Sequence, residues 1–142
     1  MVSFRRVTAS RSYRDGFAHR KLDVYRLATQ FFQSAYELSK RLPRTEGFMK
    51  SQFLRAALSI QLNIAEGSGE LRPKEKARFY RIARRSADEC SALLEDIEYV
   101  LKLRPEELEP YFQQLQVITV MLIGLDRSMT ARARSQKRKP KK

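Results

Sequence analysis

Between residues 22 and 130 the apolar positions recur at the three- and four-residue spacings of amphipathic helices, in four runs separated by proline and glycine. The first run, Leu22 to Leu42, sets Val24, Leu27, Phe31, Leu38 and Leu42 on one stripe. Tyr25, Phe32 and Tyr36 form a second stripe beside it, so the apolar arc is wide enough to serve an oligomer interface as well as a core. Asp23 places an acid at the positive end of this helix, and Pro43 stops it. The second run, Phe48 to Gly67, is apolar nearly all round, through Phe53, Leu54, Ala57, Leu58, Ile60, Leu62, Ile64 and Ala65. Its polar residues Gln52, Arg55, Ser59, Asn63 and Glu66 follow at spacings of three or four and share one narrow line. A left-handed cap at Gly67 or Gly69 is the expected end. The third run starts at Pro73 and reaches about Lys102, with heptad lines Phe79, Ser86, Leu93, Val100 and Ala83, Cys90, Ile97. The fourth carries Leu108, Leu115, Leu122, Met129 and Tyr111, Ile118, Leu125. Because Pro110 lacks a donor and crowds the carbonyl four residues back, residues 105–109 are expected as a separate turn, with the long helix starting near Glu109.

Four long helices with short links predict an all-α, antiparallel up-down-up-down four-helix bundle over residues 21–130. Residues 1–20 read as a basic flexible extension and 131–142 as a disordered basic tail. A second helix with so small a polar face needs neighbours on several sides, which predicts a homo-oligomer. No alternating segment suggests a strand, and no repeat of solenoid length recurs. At 142 residues the chain can bury one core without staples. Its single cysteine, Cys90, rules out an intrachain disulfide and fits a reducing, cytoplasmic setting. No apolar run approaches the roughly 20 residues of a membrane span, and no secretory signal follows the basic N-terminus, so no membrane partner is expected.

Charge adds the functional direction. The formal net charge is +13, and the excess lies at the two ends. Arg5, Arg6, Arg11, Arg14, Arg20 and Lys21 stand against Asp15 at one end; Arg127, Arg132, Arg134, Lys137, Arg138, Lys139, Lys141 and Lys142 stand against no acid at the other. Polycationic ends on a neutral body point to a polyanion, here nucleic acid, RNA or DNA, held with little sequence specificity. In the third helix Lys74, Arg78, Arg81 and Arg85 form a basic stripe, widened by Arg72, Lys76 and Arg84. Asp88, Glu89, Glu95, Asp96 and Glu98 occupy its second half, an order that opposes the helix dipole. The stripe can contact phosphates, or it can form salt bridges between helices or subunits; both readings stand. If about six to eight tail cations met duplex phosphates, the salt slope would be on the order of −5 to −7. Aromatics among the N-terminal arginines, Phe4, Tyr13 and Phe17, can stack on unpaired bases.

Catalytic chemistry has little to work with. His19 is the only histidine, so no histidine pair can hold a metal. Cys90 sits in an apolar seam and reads as a small core residue. Gly67-Ser68-Gly69 lacks the lysine and hydroxyl residue of a phosphate loop. The line Arg55, Ser59, Asn63 and Glu66 reads as a hydrogen-bonded network that fixes register. The expectation is a non-enzymatic protein without cofactor or metal.

KLDVYRLA at 21–28, RAALSIQLNIAEGSG at 55–69 and ARFYRIARRSADE at 77–89 resemble, in this order, one bacterial family. Its members are four-helix-bundle proteins first noticed as open reading frames in intervening sequences of large-subunit ribosomal RNA genes. The accessory variability proteins of diversity-generating retroelements are more distantly similar. The resemblance implies an all-α bundle that assembles as a ring-like homopentamer. In the retroelement branch it also implies binding of nucleic acid and of a partner reverse transcriptase. This chain carries Gln61 where the family usually has proline, and its basic ends lie outside the family core.

Overall fold

The computed structural model describes residues 13–140. Two 3₁₀ turns, Tyr13–Gly16 and Ala18–Lys21, lead into four helices: α1 (Asp23–Ser39), α2 (Gly47–Gly69), α3 (Pro73–Leu101) and α4 (Pro105–Lys137). A further 3₁₀ turn, Arg44–Glu46, joins α1 to α2, and no strand occurs among the described residues. The expectation of a flexible extension to residue 20 is therefore corrected for residues 13–20. They fold into two turns, of which the second packs on α1 and α2 and the first packs on the second. Phe4, Arg5, Arg6, Arg11, Lys141 and Lys142 lie outside the described residues.

One apolar core runs the length of the helices. Val24, Phe31 and Leu38 enter it from α1, Phe53, Ile60 and Ile64 from α2, Cys90, Leu94 and Ile97 from α3. The expected line Leu108, Leu115, Leu122 and Met129 of α4 is buried throughout. Near the middle Phe31 and Phe53 meet edge to face, with ring centroids 6.4 Å apart and planes at 84°, the arrangement that the ring quadrupole favours. On α3 the buried face is rotated from the expected seam. Ala83, Cys90 and Ile97 are buried, but the second line is Tyr80, Ala87 and Leu94, while Phe79, Leu93 and Val100 are only half-buried. The helix is wedged between α2 and α4, and its apolar face centres on the gap between them. α2 is less enclosed than its composition suggests: Leu58 and Leu62 are 39% and 50% exposed, because α1 and α3 cover its other faces and no described residue covers this one.

Several helix ends differ from expectation. α1 stops at Ser39, whose hydroxyl donates to the Tyr36 carbonyl at 2.7 Å, and a turn carries the chain to the buried Leu42. Neither Gly67 nor Gly69 adopts a left-handed conformation. Instead Lys76 of α3 donates through Nζ to the carbonyls of Gly67 (3.2 Å) and Ser68 (2.8 Å), so a cation satisfies the negative end of α2. Gly67 is needed for closeness: a Cβ there would lie 3.0 Å from Phe79 Cβ and Tyr80 Cε1. The left-handed cap falls at Lys102 (φ 51°), after α3, with Leu103 N–H donating to Glu98 O at 3.0 Å. α4 begins at Pro105, so residues 105–109 are its first turns and not a separate element. Glu107 accepts the Arg104 N–H at 2.8 Å, and Pro110 removes one bond close to an open helix end. At the other end α4 continues to Lys137, correcting the disorder expected from residue 131. Ala131, Arg132, Ala133 and Arg134 are strong helix formers, and cations suit the negative helix end.

Cross-helix pairs set the arrangement. Tyr25 and Thr29 of α1 meet Gln61 of α2, and Phe31 meets Phe53. Gln52, Ser59 and Gly67 of α2 meet Glu89, Ser86 and Tyr80 of α3 in that order. Arg81 of α3 meets Asp126 of α4. The start of α1, the end of α2, the start of α3 and the last third of α4 therefore share one end of the molecule.

Candidate nucleic-acid interface

That shared end is basic. The first half of α3 presents Lys74, Arg78 and Arg85 on its exposed face, with Arg81 and Arg84 half-buried beside them. The terminal turns of α4 add Arg132, Arg134 and Lys137, all exposed, followed by Arg138 and Lys139. The acids of α3 lie toward the opposite end: Asp88, Glu89, Glu95 and Asp96 are exposed there. Two cationic segments more than forty residues apart in sequence thus converge.

The cations are not equivalent. Arg81 reaches Asp126 Oδ1 at 3.5 Å, and the same oxygen accepts the Thr130 hydroxyl at 3.0 Å. Arg81 is engaged in holding α3 to α4, through a partner 45 positions away. Lys76 is engaged as the cap of α2. Arg78 pairs with Glu75 at 3.2 Å, one turn back, and lies 5.1 Å from the Phe79 ring centroid. Both side chains of that pair are substantially exposed, so it contributes no more than about 0.5 kcal/mol and an incoming phosphate can compete with it. Lys74, Arg84, Arg85, Arg132, Arg134 and Lys137 make no side-chain hydrogen bond or ion pair with a described residue. These are the cations available to an external anion.

The polar line on α2 divides. Ser59 and Ser86 share a hydrogen bond at 2.8 Å across the α2–α3 seam. Asn63 donates to the Ser59 carbonyl (2.8 Å) and hydroxyl (3.1 Å), and Ser86 donates to the Ile82 carbonyl at 3.1 Å. Arg55 and Glu66 stand outside this network, exposed, without a side-chain partner among the described residues. Gln61, on another face of α2, donates to Tyr25 Oη (3.1 Å) and Thr29 Oγ1 (3.0 Å) of α1.

Among the described residues no group of three histidine, cysteine or acidic side chains could hold a metal. The Cys90 thiol is buried, and desolvation, with the Glu89 charge a lesser cause, pushes it up to about 12. It is a thiol, not a thiolate, at neutral pH. No helix is long and apolar enough to cross a membrane.

The sequence model of a family described as 23S rRNA-intervening sequence protein matches residues 20–124, most of the chain, and the chain belongs to that family. The match ends before the cationic turns of α4. Comparison with curated proteins gave no match.

Proposed function

We propose that this member of the 23S rRNA-intervening sequence protein family is a non-enzymatic, cytoplasmic nucleic-acid-binding protein that contacts phosphates with the basic end of its bundle. One observation carries the reading: Lys74, Arg84 and Arg85 from the start of α3 and Arg132, Arg134 and Lys137 from the end of α4 meet at one end without partners among the described residues. Such side chains neutralise phosphates and release counterions without reading bases, so affinity rather than sequence discrimination is expected. The family's name refers to 23S rRNA intervening sequences, which agrees with an RNA-associated role, and RNA and DNA are both tested as ligands.

The bundle is read as an up-down-up-down one that associates with itself into a ring, with five copies expected from the family resemblance. Two uncovered apolar faces support this: Leu58 and Leu62 on α2, Val117 and Val120 on α4. Different patches on one chain make head-to-tail contacts, and such contacts close rings. Repetition of the basic end around a ring would add avidity. Native mass measures the copy number.

Binding of labelled RNA and DNA across a salt series tests the main reading. Wild type should lose affinity steeply with salt, and joint Arg132→Gln, Arg134→Gln and Lys137→Gln should flatten the slope by about one per lost phosphate contact. Lys74→Gln with Arg85→Gln should act likewise. Salt-independent binding, or none at low salt, refutes it. The groove between α1 and α4, lined by Leu27, Tyr111 and Val117, supports a second reading: an adaptor that docks an enzyme such as a retroelement reverse transcriptase. Co-purification with such an enzyme by the tail variant, which no longer holds nucleic acid, would favour it.

A further inference from the structure

The approach to α1 carries a stack of rings that phosphate binding leaves unused. Its base is fixed: Gln61 of α2 donates to Tyr25 Oη at 3.1 Å and to Thr29 Oγ1 at 3.0 Å. His19 sits against the Tyr25 ring with centroids 4.5 Å apart. Phe17 stacks on His19 at 5.8 Å, with 28° between the planes. The stack grows outward from the helices and ends in a ring that is 62% exposed. Backbone bonds hold the segment in shape, Phe17 N–H to Arg14 O at 3.2 Å and Arg20 N–H to Phe17 O at 3.1 Å. The terminal ring is thus presented to solvent on an ordered support instead of being folded back onto the core.

Cations flank it. Lys21 is exposed and has no ion-pair partner among the described residues. Arg20 pairs with Asp15 only at 3.7 Å, with both side chains about half exposed. Lys21 to Val24 also border a shallow groove with Met121, Gly124 and Leu125 of α4. That places the stack at the same end of the molecule as the basic turns of α3 and α4.

We infer that Phe17 is a stacking platform for an unpaired base of a single-stranded nucleic acid, whose flanking phosphates lie on Lys21 and Arg20. The inference rests on the reading of the basic end as a nucleic-acid interface and narrows its ligand to strands with free bases. Every base has a π face, so the platform needs no particular sequence; a duplex hides those faces and leaves only its phosphates to the protein. Exposed aromatics are common on surfaces, but this one continues an ordered stack and has exposed cations three and four residues on in the same turns, and single-strand grooves combine the two.

The test uses the full chain with a short labelled oligouridine and an RNA duplex of the same length. Phe17→Ala should bind the oligouridine about tenfold more weakly, in line with the stacking of one base, and the duplex within about twofold of wild type. Phe17→Trp should bind as wild type does. The chain has no tryptophan of its own, so quenching of that variant's emission by oligouridine and not by duplex reports stacking directly. An unchanged affinity of Phe17→Ala for oligouridine overturns the inference, as does an equal loss for both probes, which would mark Phe17 as structural. If wild type binds neither probe, the reading of the basic end falls with it. If the α4 tail variant loses both probes while Phe17→Ala matches wild type, only the platform falls.

Discussion

The α2–α3 seam and the α1–α4 seam belong to the same bundle and are built differently. Along α2–α3 small residues stand at the contact: Gly67 lies against Phe79 and Tyr80, and Ser59 meets Ser86. Helices lined this way approach closely, and Gly67 leaves no room for even a Cβ beside Tyr80. Polar groups then add register through Ser59–Ser86, Gln52–Glu89 and the Lys76 cap. Between α1 and α4 no side-chain hydrogen bond or ion pair occurs among the described residues, and a groove of about 610 Å³ stays open beside Leu27, Pro110 and Val117. Short links tie α2 to α3 and α3 to α4, whereas α1 and α4 meet only through the fold. Close, specific packing has gone to the α2–α3 pair, and the α1–α4 seam keeps uncommitted apolar surface, as does the Leu58–Leu62 face of α2.

The largest expected break is in the core shared with the closed side. Ile60→Ala should cost about 2–5 kcal/mol in denaturant unfolding, since Ile60 is fully enclosed. Gly67→Val comes next, at about 1–3 kcal/mol, because even its Cβ would lie 3.0 Å from Phe79 Cβ and Tyr80 Cε1, so α3 would have to shift. A loss under about 0.5 kcal/mol would mean that the seam is looser than its geometry. A third experiment uses pH. The Cys90 thiol is raised from 9 to about 12 in the folded chain. Its contribution is therefore complete below pH 9 and falls as pH rises from 9 towards 12, because only the unfolded chain releases the proton there. Unfolding at pH 8 and pH 10, compared with Cys90→Ala, should show that wild type loses more stability. Ser86→Ala should cost about 1 kcal/mol by unpairing Ser59. Val117→Ala, on the open side, should stay within about 0.5 kcal/mol by the same measurement. A larger loss at Val117 would erase the contrast between the seams.

Much of the fold is legible in the sequence because helical period is a local property. The Leu108, Leu115, Leu122, Met129 line is buried as its heptad spacing predicts, and the four helices fall where the apolar runs lie. Errors concentrate where the cause is non-local or where two local rules compete. The glycines after residue 66 promised a left-handed cap, but a lysine from the next helix ends α2 and one glycine serves a close contact instead. Pro110 promised a helix start after it, but the Arg104–Glu107 cap holds the turns before it. The spacing of Lys74, Arg78, Arg81 and Arg85 puts them near one face of α3, yet could not tell that Arg81 is engaged by Asp126.

By itself the sequence determined four helices, the largely apolar character of the second, one cysteine in an apolar seam and an excess of cations at both ends. Each of these follows from composition or from spacing within a few turns. Only the tertiary structure decided which cations have partners, which face of α2 stays uncovered, and that the start of α3 and the end of α4 lie together. Those outcomes depend on which helices dock and in what register. That choice is made by shape and hydrogen bonding summed over whole interfaces, and no short stretch of chain contains it.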